Sequence, residues 1–528
     1  MKDSINLFRK NHLVFTAYII FGFAIYLKSL RYGFILDDEF QILKNPLVQD
    51  LSKWYMHLTN STMSMPEAIG GIYYKPLMMI TYAFLWKVGG GTAFIFHLFQ
   101  LSLHVLNAFL VYKLFEHFFS KEKTLWALFA GFIFLCHPIN AEAVLFIADL
   151  QEPLYTFFGL SAILLIVSPI SSQWRICLAA FLFFCGLLSK ESGVLYILVG
   201  LTYSFIFNKA LVKSLLVSTG AVAIVYLALR LGLAELNSIH ADTMQISRAD
   251  LLTRLTTMPK VLIHYLHLFF YPANLSLTQD WVVTDFSWPD FWLPLLEVIA
   301  VLSLSLLFLY KTQEKKLFLL FFLWFCFGWG LHSQIIPLDG TVSDRWFYFT
   351  ILGFLGMLLV FANTKFELSN LKLSIMLFLS TMVLSGTTYN RTLNWKNGIS
   401  LYQHDLKINP ESFYLNNNLG LEYMSLENYA EAIPLFEKTI SLSDEKTRSW
   451  YIGNLNLSAA YLLKRDYKKA ETFSRISLPY GDARSYRSLA WSLLAQNKYE
   501  ELESFLKLSL EKFPNDAGLA KIKANYKN

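Results

Sequence analysis

Charge is what this chain has least of. Lys, Arg, Asp and Glu make up 16% of its 528 residues, against about a quarter in ordinary soluble domains. Hydrophobic residues reach 55% and mean hydropathy is +0.41, so a water-soluble globular chain is excluded and the bilayer is the expected solvent. Cysteine is scarce as well. Cys136, Cys177, Cys185 and Cys326 all lie in apolar runs, without the paired spacing of a zinc site and without polar loops to bridge, so they read as free thiols. A glycine-rich phosphate loop is missing, because Gly89, Gly90 and Gly91 precede an apolar span instead of following a strand. No nucleotide-driven energy source is encoded. The net charge of +6 comes from dispersed Lys and Arg, which excludes the clustered footprint of a nucleic-acid binder. The first apolar stretch follows Lys2, Arg9 and Lys10 but lacks a small-residue cleavage site, so it is expected to stay as a signal anchor.

What fills the chain is apolar helix. Windows of about 19 residues place spans near 12–30, 94–116, 124–142, 153–170, 175–190, 192–208, 211–231, 291–310, 317–333, 346–362 and 371–390. The expectation is an all-α polytopic membrane helical bundle with 11 spans over residues 1–390. The run 258–271 is shorter and contains Lys260, His264 and His267, which suits an interfacial or re-entrant helix. Short connections carrying Lys113, Lys121, Lys123, Arg175, Lys209, Lys213, Lys311, Lys315, Lys316, Lys365 and Lys372 fall on one side with the N-terminus. The positive-inside rule makes that side cytoplasmic and puts the other connections outside. The abundant Phe, Tyr and Trp are explained by interfacial belts and signal no ligand by themselves.

Polar, repeating helices begin at residue 413. Leu419, Gly420, Tyr423, Ala432 and Phe436 fit the small and large positions of a tetratricopeptide unit; Leu457, Tyr461 and Ala470, then Leu489, Ala490 and Pro514, offer two degenerate copies. Residues 413–528 are expected to form an α-solenoid, with 391–412 docking it onto the last span.

Charged residues near the outer ends of spans are candidates for chemistry. Asp37, Asp38 and Glu39 follow the first span; three adjacent acids there would bind a cation, accept a proton or simply face water. Lys75, after Tyr73 and Tyr74, would snorkel or meet a lipid phosphate. His137, Glu142 and Asp149 follow the third span, and Glu152 comes next. Ser189, Lys190 and Glu191 interrupt hydrocarbon as a polar hairpin or a phosphate contact. Arg345 is costly at membrane depth unless Asp344 or an anionic ligand neutralises it. His264 and His267 read as interfacial histidines, since no glutamate completes a metalloprotease spacing.

Taken in order, Phe34-Ile-Leu-Asp37-Asp38, Tyr73-Tyr-Lys-Pro76, His137-Pro138 with Glu142 and Asp149, Ser189-Lys-Glu191, Asp344-Arg-Trp-Phe-Tyr348 and the repeat tail resemble the transmembrane and tetratricopeptide-repeat O-mannosyltransferases and their bacterial relatives. These are integral membrane glycosyltransferases of the C superfamily (GT-C). The resemblance implies transfer of a sugar from a polyprenyl- or dolichyl-phosphate donor to an acceptor, a protein Ser/Thr hydroxyl, on the periplasmic or lumenal face. It implies Asp37 or Asp38 as base, with Asp37 favoured, and Lys75, Lys190 and Arg345 as lipid-phosphate ligands. Glu39, Glu142, Asp149, His137 and Glu191 would organise the site or the acceptor. The chain departs from the family pattern at Phe146, Ile147 and Ala148, where basic or small residues are usual. Expected partners are membrane lipid, the lipid-linked donor and a protein acceptor read by the repeats. No dedicated metal ligands are assigned, and a divalent ion on the acids stays open. The alternatives are a transporter, disfavoured by the shortage of mid-span charges, and a scaffold, which needs far fewer spans. Compact loops favour a bacterial inner membrane over an endoplasmic-reticulum one.

Overall fold

The computed structural model describes residues 2–62, 73–119, 124–168, 173–234, 245–338, 340–366 and 369–527. Among these, regular structure is helical, with one isolated antiparallel bridge between Gln279 and Val342. Backbone groups in hydrocarbon have no water to bond, so apolar sequence of this length must satisfy them within helices. The apolar part contains α1 (Lys2–Tyr26), α2 (Pro46–Gln49), α3 (Pro76–Gly89), α4 (Ala93–Phe118), α5 (Thr124–Cys136), α6 (Ala141–Leu145), α7 (Gln151–Val167) and α8 (Gln173–Ser189). It continues through α9 (Val194–Phe207), α10 (Lys209–Gly232), α11 (Gln245–Arg248), α12 (Leu251–Phe270), α13 (Leu293–Lys311), α14 (Lys315–Leu331), α15 (Phe347–Lys365) and α16 (Asn370–Asn394).

Among the described residues, seven helical stretches are long and apolar enough to cross a bilayer, and eight if α5 and the bent segment Pro138–Leu145 count as one. The other three expected crossings correspond to α8, α9 and α14, of 17, 14 and 17 residues. At about 1.5 Å per residue they lie at or below the short end of the range of about 17–25 residues for a crossing. The run expected at 258–271 is the end of a longer amphipathic helix, α12, capped by Asp250 and tied down by Lys260 to Asp290 at 2.7 Å. Helix α3 lies in what the sequence reading left as a long connection.

Close packing explains particular small residues. Gly353 of α15 lies against the backbone of α14, where an added Cβ would stand 2.3 Å from Phe325 N. The break after α5 follows from Pro138, which cannot supply the next helical N–H; the chain bends by 49° there. The Phe134 carbonyl this frees accepts from the Asn140 amide at 2.8 Å, and buried polar side chains of α4 bind carbonyls of the segments that follow: Gln100 donates to Ala143 O at 2.8 Å and Phe146 O at 2.7 Å, and Asn107 to Pro153 O at 2.8 Å. At the opposite end of the bundle Glu116 gathers Lys10 at 2.8 Å and Lys113. Lys121 and Lys123, counted in the charge bias, lie outside the described residues.

The C-terminal part comprises α17 (Gly398–Ile408), α18 (Phe413–Ser425), α19 (Tyr429–Ser441), α20 (Arg448–Leu463), α21 (Tyr467–Ser477), α22 (Ala483–Ala495), α23 (Tyr499–Lys512) and α24 (Ala517–Lys527). Helices α18 to α23 pair as tetratricopeptide hairpins, with Ala432, Ala460, Ala470 and Ala490 buried at the crossings. Gly420 allows α18 onto the Phe436 ring, 2.6 Å from where a Cβ would be.

A buried ion pair joins the two parts. Arg391, at the end of α16, donates to Asp405 of α17 at 2.8 Å, and Asp405 also receives His404 at 2.8 Å and Leu277 N at 2.8 Å. Burial alone would raise the Asp405 carboxyl, but Arg391, His404 and the Leu277 amide outweigh it and hold the group below its ordinary value of 3.8. A pKa depressed on folding stabilises above the unfolded value and loses that contribution as pH falls through the folded one, so this junction should loosen only in strong acid. Arg391→Ala would leave a buried carboxylate uncompensated, at about 3–5 kcal/mol. The expected outcome is a lowered thermal midpoint in detergent and faster proteolysis between residues 395 and 412; an unchanged protein would show that the pair does not hold the junction.

Candidate active site

Several connections meet at the mouth of the bundle where the repeats sit. The first is the loop after α1. Leu36 adopts a left-handed backbone (φ 57°), a conformation costly for a side chain of this kind and most often kept at functional sites. It turns the chain so that the Asp38 carboxylate accepts from Ile35 N at 2.9 Å and from Ala148 N, in the segment after α6, at 2.7 Å. Asp38 is 0% exposed. Burial raises its carboxyl well above the ordinary range, against the pull of those two amides. Glu39 faces outward and pairs with Lys44 at 2.6 Å. Asp37 is half-buried and close enough for its charge to act on Asp38, Tyr402 and Tyr414.

The second connection joins α14 to α15. Arg345 donates from its guanidinium to Glu142 Oε1 and from its backbone N to Glu142 Oε2 at 3.1 Å, while its Nε lies 3.3 Å from Asp149 Oδ1. Ser343 Oγ donates to Glu142 at 3.0 Å, and Gln151 to Asp149 at 2.9 Å. Asp344, expected as a possible partner of Arg345, is not that partner; it is buried on the side of Arg391. A 3-10 turn, Asp344–Trp346, spaces successive side chains by about a third of a turn and so sends the two charges apart.

The third connection is the hairpin between α8 and α9. Lys190 pairs with Glu152, which is 1% exposed, and lies over the Tyr155 ring at 5.7 Å. Glu191 acts electrostatically on Tyr226, whose ring meets Tyr74 at 6.1 Å. Next to Tyr74, Lys75 lies over Tyr73 at 4.2 Å and immediately precedes α3. Lys75 therefore belongs to the Glu191 flank of the mouth. His137 is part of the scaffold: its Nε2 is 2.9 Å from Phe269 O, its Nδ1 accepts from Ile139 N at 3.2 Å, and its ring stacks on Phe269.

Thus Asp37, Asp38, Glu142, Asp149, Lys190 and Arg345 gather, with Lys75 and Glu191 at one flank. The sequence reading named Glu152 only as a loop acid, although its position three residues after Asp149 on an incipient helix signals a shared face. Among the described residues, no group of three or more His, Cys, Asp and Glu side chains is arranged to hold a metal ion.

No family model matches the chain. It is 25% identical over 416 residues to protein O-mannosyl-transferase F38B6.6 of Caenorhabditis elegans, covering 75% of this chain and 58% of that one. Its relatives are protein O-mannosyl-transferases. It is 22% identical over 462 residues to human TMTC3, covering 78% and 49%, and 23% identical over 502 residues to mouse TMTC3, covering 84% and 53%. The chain thus spans about half the length of these curated O-mannosyl-transferases. The matches take in most of the present chain, so the similarity extends well beyond the repeats.

The pin formed by Asp38 can be tested apart from any activity. Asp38→Ala strands two amides in a dry loop, and each buried unsatisfied group costs about 1–3 kcal/mol. A clear drop in thermal midpoint is expected, smaller for Asp38→Asn and smaller still for Asp37→Ala. Equal effects at 37 and 38 would contradict the division of roles.

Proposed function

We propose that this chain is a membrane glycosyltransferase that moves a sugar, mannose by analogy with its relatives, from a polyprenyl- or dolichyl-phosphate donor to a protein Ser/Thr hydroxyl. The carrying observation is that Asp37, half-buried, acts on the same Tyr414 hydroxyl as the cation Arg345, while Lys190 and Arg345 both act on Glu152. Asp37 takes the proton as the acceptor oxygen forms its bond to the anomeric carbon. General-base assistance of this kind supplies about 10²–10⁴-fold. The bond from that carbon to the phosphate oxygen breaks, and the electron pair stays on the phosphate. Arg345 and Lys190 meet this developing charge, with Lys75 on the flank, in the electrostatic role that usually contributes most.

Asp38 is closed to solvent, so Asp37 is the base in this scheme. Glu142, Asp149 and Glu152 hold the cations in fixed orientation, so little reorganisation accompanies the transfer. The end bearing Lys10 and Lys113 is cytoplasmic by the positive-inside rule, which turns the cleft and repeats to the periplasm or lumen. The repeats receive the acceptor polypeptide on their concave face.

In proteoliposomes supplied with polyprenyl-phosphate mannose and a Ser/Thr-rich peptide, Asp37→Asn should lower transfer by at least about 100-fold while folding is kept. Arg345→Ala should reduce it by a similar factor. Full activity of folded Asp37→Asn would remove the proposed base.

A further inference from the structure

The first repeat helix is tied to the cleft by a continuous set of contacts. Its capping residue Ser412 donates from Oγ to Asp280 and accepts from Leu415 N at 3.2 Å. Asp280 adjoins Gln279, whose backbone N donates to Val342 O at 3.2 Å. Val342 leads into Ser343 and Arg345, the two residues that bind Glu142. Helix α18 is therefore placed by the same segment that places Arg345.

This position puts one face of α18 along the first loop. Tyr414, Asn418 and Glu422 recur every four residues and so share that face. Tyr414 lies within electrostatic reach of both Asp37 and Arg345, and Glu422 within reach of Glu39. All three side chains are half-buried. Asn418 contacts the Tyr414 hydroxyl, and its own oxygen accepts from Asn417 at 3.3 Å, which in turn accepts from Asn456 of the second repeat at 2.7 Å. A row of amides thus runs from the cleft into the repeats. Amide side chains and a phenol offer both donors and acceptors to a peptide backbone and make no demand on sequence.

We propose that Tyr414 and Asn418 hold the acceptor polypeptide beside Asp37, so that the first repeat helix forms a wall of the active site and is more than a remote tether. This rests on the transferase reading above. Burial and the nearby Asp37 carboxylate both raise the Tyr414 hydroxyl, which keeps it a neutral donor over the working pH range. These are specificity residues: they set which hydroxyl along a chain reaches the base, and they leave bond breaking to Asp37 and the cations.

The test uses the full-length chain in proteoliposomes with polyprenyl-phosphate mannose and a Ser/Thr-rich peptide, measuring KM for peptide and kcat separately. Tyr414→Ala and Asn418→Ala should each raise peptide KM by about tenfold, the worth of roughly one hydrogen bond, with kcat far less affected. Tyr414→Phe should show a smaller rise, since it keeps the ring and loses only the hydroxyl. Wild-type transfer with unchanged KM in all three variants would overturn the proposal while leaving the transferase reading intact. Equal losses in kcat accompanied by a lowered thermal midpoint would also overturn it, by showing a merely structural role. Absence of transfer by the wild type would instead remove the reading on which the proposal stands.

Discussion

Arg345 is held between two buried carboxylates, Glu142 and Asp149, and the rest of the mouth is arranged around that contact. None of the three charges could be left alone at membrane depth, where an unpaired ion is expensive. Once paired, they fix the segment after α5, the segment before α15 and the start of α7 relative to one another. Lys190 and Glu152 repeat the solution nearby. Asp38 then fastens the first loop to the same segment through Ala148 N, which leaves Asp37 at the edge of the cleft.

This arrangement has a cost in backbone regularity. Pro138 ends α5 early, and Leu36 takes a left-handed backbone just ahead of Asp37 and Asp38. Asn140 meets the Phe134 carbonyl that Pro138 releases, and Gln100 and Asn107 of α4 bind carbonyls of the segments that follow. A polar stripe on an otherwise apolar helix is thereby explained without a ligand. The buried pair Arg391 and Asp405 extends the same logic to the repeats, since its third partner, Leu277 N, belongs to the loop that also carries Asp280.

Much of this was legible in the sequence. The helical class, the apolar helices and the repeat hairpins follow from composition and periodicity, because hydrocarbon leaves the backbone few options. The residues that gather, Asp37, Asp38, Glu142, Asp149, Lys190 and Arg345, were identifiable as charges near helix ends. Their division of labour was not. Asp37 and Asp38 are neighbours of identical chemistry, and only the turn at Leu36 decides which one is buried. Asp344 looked like the natural partner of Arg345, but a 3-10 turn separates adjacent side chains and the true partner lies 203 residues away. The expected 11 crossings include α8, α9 and α14, and a hydropathy window does not register that these are short. Tyr414 gave no sign, since nothing local to a repeat helix says what it will face.

The proposed transfer depends on phosphate entering the mouth where Arg345 and Lys190 are held. A structure of the full chain with polyprenyl monophosphate bound in a lipid nanodisc measures this directly. The phosphate should lie within hydrogen-bonding distance of Arg345 or Lys190, with the Asp37 carboxylate facing it across open space. A phosphate seated on the Lys10 and Lys113 end of the bundle, or one kept from Arg345 by intact Glu142 and Asp149 with no contact to Lys190, would contradict it.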